Sequence, residues 1–355
     1  MPADAGQTAP GEPRLAARRI LVVRLGSLGD VVRTRFALPD LRALYPDARI
    51  DWLVEDRAAS GLAGATEIDE RIAVQRRALR VRNALGWSAA LVRSLRERNY
   101  DLAVDFHSIL RSALPLWASG IPLRVGYDAR LAREGAQRLF THRVSVPDPH
   151  VSRFERNAAL VRYLGAARGC ARPELKLAVG AGELPELPER FAVLHPGTSP
   201  TTLYKRWEPE RYAQVARGLA AEAGLASLVT WGPVPGEREC AERVVALAGG
   251  SARLGPRTES LEVLLALLGR ADVFIGSDSG PMHLASLAGR PIVAIFGPTD
   301  PVENAPFPGL PVRLVRVDVG CNPCREGCPA RSCMAAVEPA RVLAAARELL
   351  RGAAV

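Results

Sequence analysis

RILVVRLGSLGD, residues Arg19 to Asp30, sets a short apolar run between two arginines, follows it with a glycine-bearing turn and opens a helical pattern. This is the start of a strand, loop and helix. The same grammar returns at Ile50 to Val54, at Leu102 to Phe106 ahead of a helix-like stretch, and at Leu123 to Gly126, with a charged amphipathic helix around Leu91 to Glu97. Apolar runs alternating with helical patterns predict a parallel sheet with helical crossovers.

From Leu177 to Arg190 the pattern lapses into small residues, Gly and Pro, and reads as a linker. It then restarts, with strands expected at Phe191 to His195, Ser227 to Trp231, Asp272 to Gly276 and Ile292 to Phe296. Helices are expected near Pro209 to Glu222, Glu237 to Ala248 and Leu261 to Leu268. Each half is therefore expected to be a doubly wound α/β unit. The organisation expected is a mobile leader over 1–18, a first domain over 19–176, a linker over 177–190 and a second domain over 191–335. A final amphipathic helix follows within 336–355, with Pro339 in its first turn, and is expected to pack across the domain junction. Ligands of such sheets bind beyond the carboxyl ends of the strands, so two facing units would hold a ligand between them.

Composition narrows the function classes. The chain has 355 residues, 48% hydrophobic and 24% charged, which excludes a disordered, collagenous or small disulfide-stapled protein. The excess of 47 basic over 38 acidic residues gives a net charge of +9 and favours an anionic partner. Aromatic residues make up only 5%, too few to interleave with basic side chains in a nucleic-acid surface. No window reaches the roughly 20 apolar residues of a spanning helix, and the start lacks the apolar core of a signal peptide, so a cytoplasmic protein is expected.

Four loops carry residues suited to chemistry. In the first, Gly26, Ser27 and Gly29 let backbone approach a ligand, and Asp30 at the helix mouth either caps that helix or serves as a general base. The spacing is not that of the dinucleotide fingerprint. In the second, His195-Pro196-Gly197-Thr198-Ser199-Pro200 runs on to Lys205-Arg206-Trp207. Thr198, Ser199, Lys205 and Arg206 suit a phosphate or diphosphate, the alternative being a solvated turn. In the third, Ser277-Asp278-Ser279-Gly280-Pro281-Met282-His283, the free amides beyond Ser279 suit a phosphate, Asp278 a sugar hydroxyl, and His283 either the ligand or the core. In the fourth, Thr299 and Asp300 bind hydroxyls or form a turn. Glu237, beyond Trp231-Gly232-Pro233, contacts a ribose or only begins a helix.

Six cysteines in a chain of this class are expected to be reduced thiols. Cys321, Cys324, Cys328 and Cys333 are close enough in sequence for a structural zinc site as the sharper option.

In their order, R-L-G-S-L-G-D, H-P-G-T with a downstream K-x-W, G-S-D-S-G-P-M-H-L-A, F-G-P-T-D-P and a cysteine-rich tail resemble the bacterial heptosyltransferases of glycosyltransferase family 9, over Arg19 to Leu350. The resemblance implies a GT-B type α/β fold, two doubly wound Rossmann-like domains facing across a cleft, with the acceptor on the first and an ADP-heptose donor on the second. It makes Asp30 the candidate base and Lys205 the diphosphate contact, and it sets Asp278 and His283 on a D-x-G-x-x-H segment whose middle hydroxyl is Ser279 rather than threonine. With these, Thr198, Ser199, Glu237, Gly280 and Thr299 form the candidate donor site, and Gly26, Ser27 and Gly29 the acceptor-side loop.

The activity so implied is inverting transfer of a heptose to the inner core of lipopolysaccharide, with no cofactor beyond the nucleotide sugar. No D-x-D pair after a strand advertises a bound cation, so metal independence is expected. The acidic, lipid-anchored acceptor suits a basic protein. Arg71 to Arg80, with Arg93, Arg96 and Arg98, could meet an anionic membrane surface or simply form a solvated face. The competing readings are a transferase acting on another glycan and a non-catalytic binder of nucleotide sugars or glycans.

Overall fold

The computed structural model describes residues 13–75, 84–179, 184, 186–256, 260–324 and 327–352. The expected leader up to residue 12, the Arg76 to Arg80 part of the basic stretch and residues 180–183 and 185 of the expected linker lie outside the described residues. The chain divides into two compact units, Met1–Lys176 and Leu177–Val355.

In the first unit, β1 (Arg19–Val23), β2 (Arg49–Glu55), β3 (Glu70–Val74), β4 (Leu102–Asp105), β5 (Leu123–Tyr127) and β6 (His142–Val144) form a sheet in the order β3-β2-β1-β4-β5-β6. Every pairing is parallel. Helices α1 (Leu28–Arg35) and α2 (Leu38–Leu44), α3 (Ala84–Glu97) and α4 (Leu110–Ala118) supply crossovers, and α5 (Arg153–Tyr163) follows β6. The apolar runs have a physical reason. Ile20, Val22, Trp52 and Val104 pack on one face with Val31, Leu41 and Leu160, while Leu21, Val23, Leu53 and Ala103 pack on the other with Leu91, Leu95 and Leu116. With both faces covered, β1 is apolar throughout beyond Arg19, and each such side chain contributes about 1.5–3 kcal/mol of burial.

The stretch expected to be a mobile leader is fastened to this unit over residues 13–18. The Arg14 N–H donates to the Leu164 carbonyl at 2.8 Å, the Arg14 guanidinium lies over the Tyr163 ring, and the Leu15 carbonyl accepts from the Tyr45 hydroxyl at 2.8 Å.

In the second unit, β7 (Phe191–His195), β8 (Ala226–Val229), β9 (Ala252–Leu254), β10 (Val273–Ser277), β11 (Ile292–Phe296) and β12 (Val312–Arg316) pair in parallel in the order β12-β11-β10-β7-β8-β9. Counted within the unit, this is the strand order of the first sheet. Its helices are α6 (Pro209–Ala223), α7 (Glu237–Leu247), α8 (Leu261–Arg270), α9 (Gly280–Leu287), α10 (Pro301–Asn304), α11 (Ser332–Ala335) and α12 (Pro339–Gly352). The apolar face of α12, expected to seek the domain junction, is accounted for inside the second unit. It packs on α6 and on β10 to β12, with Val342, Ala346 and Leu349 buried and Leu343 against Gly218.

In both sheets the chain reverses its direction of travel between the first and fourth strands, β1 and β4 in one unit, β7 and β10 in the other. Crevices open beyond the carboxyl ends of such strand pairs, and the loops that follow them are the natural ligand carriers. Among the described residues, no helix is long and apolar enough to cross a membrane.

Candidate active site

In the first unit the loop after β1 delivers Asp30 into the first turn of α1. The Ser27 N–H and hydroxyl donate to its carboxylate at 3.3 and 3.2 Å, the capping contact read as one of its two roles. It is also caged by cations. Arg24 lies 2.7 Å away, Arg153 of α5 lies 3.2 Å away, and Arg33 pairs with it from one turn further along α1. Burial alone would raise the Asp30 carboxyl, but the charges of Arg24, Arg33 and Arg153 overcome it and hold the group well below the usual carboxylate range. Arg24 also donates to the Phe106 carbonyl at 2.7 Å, so the guanidinium that pairs with Asp30 also ties the ends of β1 and β4 together.

These groups face a cavity of about 230 Å³. Arg24, Arg33, Arg133, Arg153 and Arg156 line it, with Asp30 as the one carboxylate among the lining residues, beside Phe106, His107, Tyr127 and Asn157. Its floor is held by a relay of hydrogen bonds. The Tyr127 hydroxyl donates to Asn157 at 3.3 Å, the Asn157 amide to the Thr34 hydroxyl at 3.2 Å, and Thr34 to the Asp30 carbonyl at 2.9 Å. Burial lowers His107 to about 3, so the ring is neutral, and its Nδ1 is shielded from solvent without a hydrogen bond among the described residues. Below it, Asp105 accepts from the backbone N–H groups of His107 and Ser108 and from the Ser112 hydroxyl, and burial pushes it up to about 6. Five guanidiniums against one carboxylate suit a polyanionic ligand that brings a hydroxyl to Asp30. Gly26, against Glu55, and Gly29 in the opening of α1 belong to the same loop.

In the second unit the loops after β7 and β10 meet. Lys205 Nζ lies 2.8 Å from the Asp278 carboxylate, an ion pair between two side chains that are nearly buried. Thr198 is buried, and Arg206 fixes it by donating to both its hydroxyl and its carbonyl at 3.2 Å. Ser199 bonds to the hydroxyls of Thr201 and Thr202. Ser279 precedes α9 without capping it, so the Gly280 and Met282 amides are not met by a cap side chain. His283 is buried one turn in.

Two hydroxyls are informative. The oxygens of Ser279 and Thr299, from the loops after β10 and β11, are shielded from solvent yet make no hydrogen bond among the described residues. Buried hydroxyls are rarely left so unless something else meets them. Glu237 opens α7 and accepts from the Gly232 N–H at 2.8 Å, and burial raises its carboxyl. A Cβ at Gly197 would lie 2.7 Å from that carboxyl, so only glycine lets the loop after β7 approach it. Asp300 is a cap, accepting from the Val302 N–H at 2.8 Å. His195 is buried against Thr230 and lowered to about 4, so it belongs to the core.

The structure thus pairs Lys205 with Asp278, next to Ser279, holds Thr198 and Ser199 in the loop after β7 with Glu237 against that loop, and sets Asp30 with Ser27 in the other unit. Sequence reasoning missed the arginines around Asp30. Arg33, three residues on along the helix, was legible as a neighbour, whereas Arg153, distant in sequence, required the fold. The cysteines are free thiols, with Cys333 buried against Gly297. Among the described residues no group of three or more His, Cys, Asp or Glu is placed to hold a metal ion.

Two parallel sheets of one strand order, each with charged and hydroxyl-bearing loops at its reversal point, define a pair of doubly wound α/β units of the kind that bind nucleotides and other anionic ligands. The sequence pattern described as glycosyltransferase family 9 (heptosyltransferase) matches residues 88–333. Lipopolysaccharide heptosyltransferase 1 of Pseudomonas aeruginosa is 30% identical over 326 residues, covering 86% of this chain and 86% of that protein. Its counterpart in Escherichia coli strain K12 is 29% identical over 299 residues, 80% of this chain and 89% of that protein. Among solved structures, the Escherichia coli heptosyltransferase WaaC with ADP superposes with a TM-score of 0.74 at 24% identity, over 93% of this chain and 99% of that one. A family 9 glycosyl transferase from Veillonella parvula gives 0.76 at 20% identity, over 94% and 97%. The chain belongs to glycosyltransferase family 9.

Proposed function

We propose that this protein transfers a heptose from ADP-heptose to the inner core of lipopolysaccharide, with Asp30 as the base, in the cytoplasm at the membrane surface where a lipid-anchored acceptor is presented. The observation that carries the reading is the carboxylate of Asp30 set among arginines in a cavity at the reversal point of the first sheet. An acidic core sugar would neutralise those guanidiniums as it binds, and with their pull reduced, Asp30 becomes a better acceptor for the proton of the attacking hydroxyl. That oxygen bonds to the anomeric carbon, the bond to the diphosphate breaks on the opposite side, and the centre inverts.

Negative charge grows on the leaving ADP. Lys205, the open amides of α9 and the hydroxyls of Thr198, Ser199, Ser279 and Thr299 are the groups of this chain that would stabilise it, with Asp278, Glu237 and His283 holding the nucleotide sugar. Lys205 is held by Asp278 in the free protein, so its ammonium is already oriented when the diphosphate arrives. The relatives named for lipopolysaccharide heptosyl transfer, and the ADP in one similar structure, support donor and acceptor alike.

The test is release of ADP from ADP-heptose with a deacylated core acceptor, in Mg²⁺ and in excess chelator. Turnover in both is expected, with a fall of about 10²- to 10⁴-fold for Asp30→Asn and unchanged ADP affinity. Turnover by Asp30→Asn at the wild-type rate would remove the proposed base, and an absolute need for Mg²⁺ would remove the assigned role of Lys205 and α9.

A further inference from the structure

The surface beside the cationic cavity carries an unpartnered apolar stripe. Leu110, Leu114 and Trp117 lie at intervals of four and three residues along α4, on one face of the helix. They are 40, 44 and 54% exposed, and they account for nearly half of the large hydrophobic side chains that are exposed among the described residues. The opposite face of α4 does the packing, through buried Ser112, Pro115 and Leu116. The stripe therefore adds nothing to the core and costs solubility, which is the mark of a surface that meets something apolar.

Its setting says what. α4 packs between α3 and the turn Ala136–Leu139, and both flanks carry exposed arginines, Arg93 and Arg96 on α3 and Arg138 on the turn. Arg96 reaches the carbonyl of Ala118 at the end of α4. The acidic residues nearby include Glu97, Glu55, which is buried and lies 3.8 Å from Arg111 of α4, and Glu134, which is occupied in accepting from the Leu110 N–H at 3.2 Å. The stripe is continuous with the cavity, because Ile109 and Arg133 line the cavity while Leu110 begins the stripe. Of the sequence's candidate membrane arginines, Arg98 is not available, since it pairs with Glu70 and lies 3.6 Å from Asp51.

We propose that α4 docks this protein on an anionic lipid bilayer, with Leu110, Leu114 and Trp117 entering the headgroup boundary and the flanking arginines meeting lipid phosphates. An indole and two leucines rimmed by guanidiniums match the two layers of such an interface, apolar below and anionic above. In biological terms the inference rests on the reading of the acceptor as a lipid-anchored acidic glycan, whose sugar would enter the cavity while its anchor stays in the bilayer.

The experiment is sedimentation of the full chain with vesicles of phosphatidylglycerol and phosphatidylcholine in equal parts, without donor or acceptor. It compares wild type, Leu114→Gln/Trp117→Gln and Arg93→Gln/Arg138→Gln, with folding of each checked by circular dichroism. The apolar double variant is expected to lower the partition coefficient about tenfold or more. The arginine variant should lower it on these vesicles but not on pure phosphatidylcholine. Brominated lipid should quench Trp117, seen as a difference between wild type and Trp117→Phe. Equal partition of wild type and the apolar variant overturns the proposal. So does a change of oligomeric state in the apolar variant with vesicle binding intact, which would make the stripe a contact between copies. Transfer to the deacylated acceptor is expected to be unchanged in both variants. Its absence in wild type would sink the functional reading while leaving the vesicle result to decide the docking surface.

Discussion

The role proposed for Asp30 and its setting pull its basicity in opposite directions. As the proposed base it would take a proton, whereas in the free protein it neutralises Arg24, Arg33 and Arg153. Because its folded pKa lies below the unfolded value, the stability it contributes is present above the ordinary carboxylate range and is lost only as the pH falls through the folded value. Asp30→Asn is therefore expected to destabilise the fold at pH 7 by on the order of 1–3 kcal/mol, with the gap narrowing only below about pH 4, as read by urea unfolding. Three other buried groups also shape the acid response. His195 and His107 stay neutral to about 4 and about 3, so the unfolded chain binds more protons below about 6.5 and stability falls as the pH drops. Asp105, raised to about 6, works the other way, since the native state holds its proton where the unfolded state has lost it. Asp105→Asn removes that opposing titration, and the loss of stability from pH 7 to pH 5 should become larger than in wild type. An unchanged loss would mean that Asp105 ionises as an ordinary carboxylate.

The elements that carry these residues were unequally legible. β1, β2, β4, β7, β10 and β11 are covered on both faces and appear as apolar runs, and the loops after β1, β7, β10 and β11 could be named in advance. The edge strands were missed for the converse reason. β3 alternates Glu70, Arg71, Ile72 with partial exposure, β12 exposes Arg313 and Leu314, and β6 and β9 are three residues each, too short to show a period. The donor-side loops were found because hydroxyls, glycines and a lysine follow buried strands. The ion pair of Lys205 with Asp278, and the arrival of Arg153 at Asp30, are products of strand order and could not be seen one loop at a time. Gly197 shows how tightly one loop is held. An added methyl meets the Glu237 carboxyl at 2.7 Å and the His195 ring at 2.9 Å, both nearly buried. Gly197→Ala is expected to cost about 1–3 kcal/mol in urea unfolding and to weaken ADP binding by calorimetry. A Gly197→Ala variant of wild-type stability would mean that Glu237 is free to move.

The two units repeat one strand order but differ in charge at the reversal point, and we propose that this difference sorts their ligands. The first presents five arginines to a cavity with a single lining carboxylate. The second presents Lys205 already paired with Asp278, together with hydroxyls and the uncapped start of α9. A ligand with several separate negative charges gains most from the first, whereas a diphosphate flanked by a ribose and a sugar needs a few oriented donors and gains most from the second. The net charge of +9 is thus not spread as a uniform field. Arg153→Ala should raise the KM for an acidic acceptor by about tenfold, the loss of roughly one charged hydrogen bond, and leave the Kd for ADP unchanged. Ser279→Ala should raise the Kd for ADP severalfold and leave acceptor binding alone. Salt separates the same two sites: raising ionic strength should weaken the acceptor term more steeply than the ADP term, because the arginine cavity relies on unneutralised charge and the donor loops on fixed hydrogen bonds. If Arg153→Ala weakens ADP and acceptor equally, the charge difference between the units does not sort the substrates, and the assignment of acceptor to the first unit fails with it.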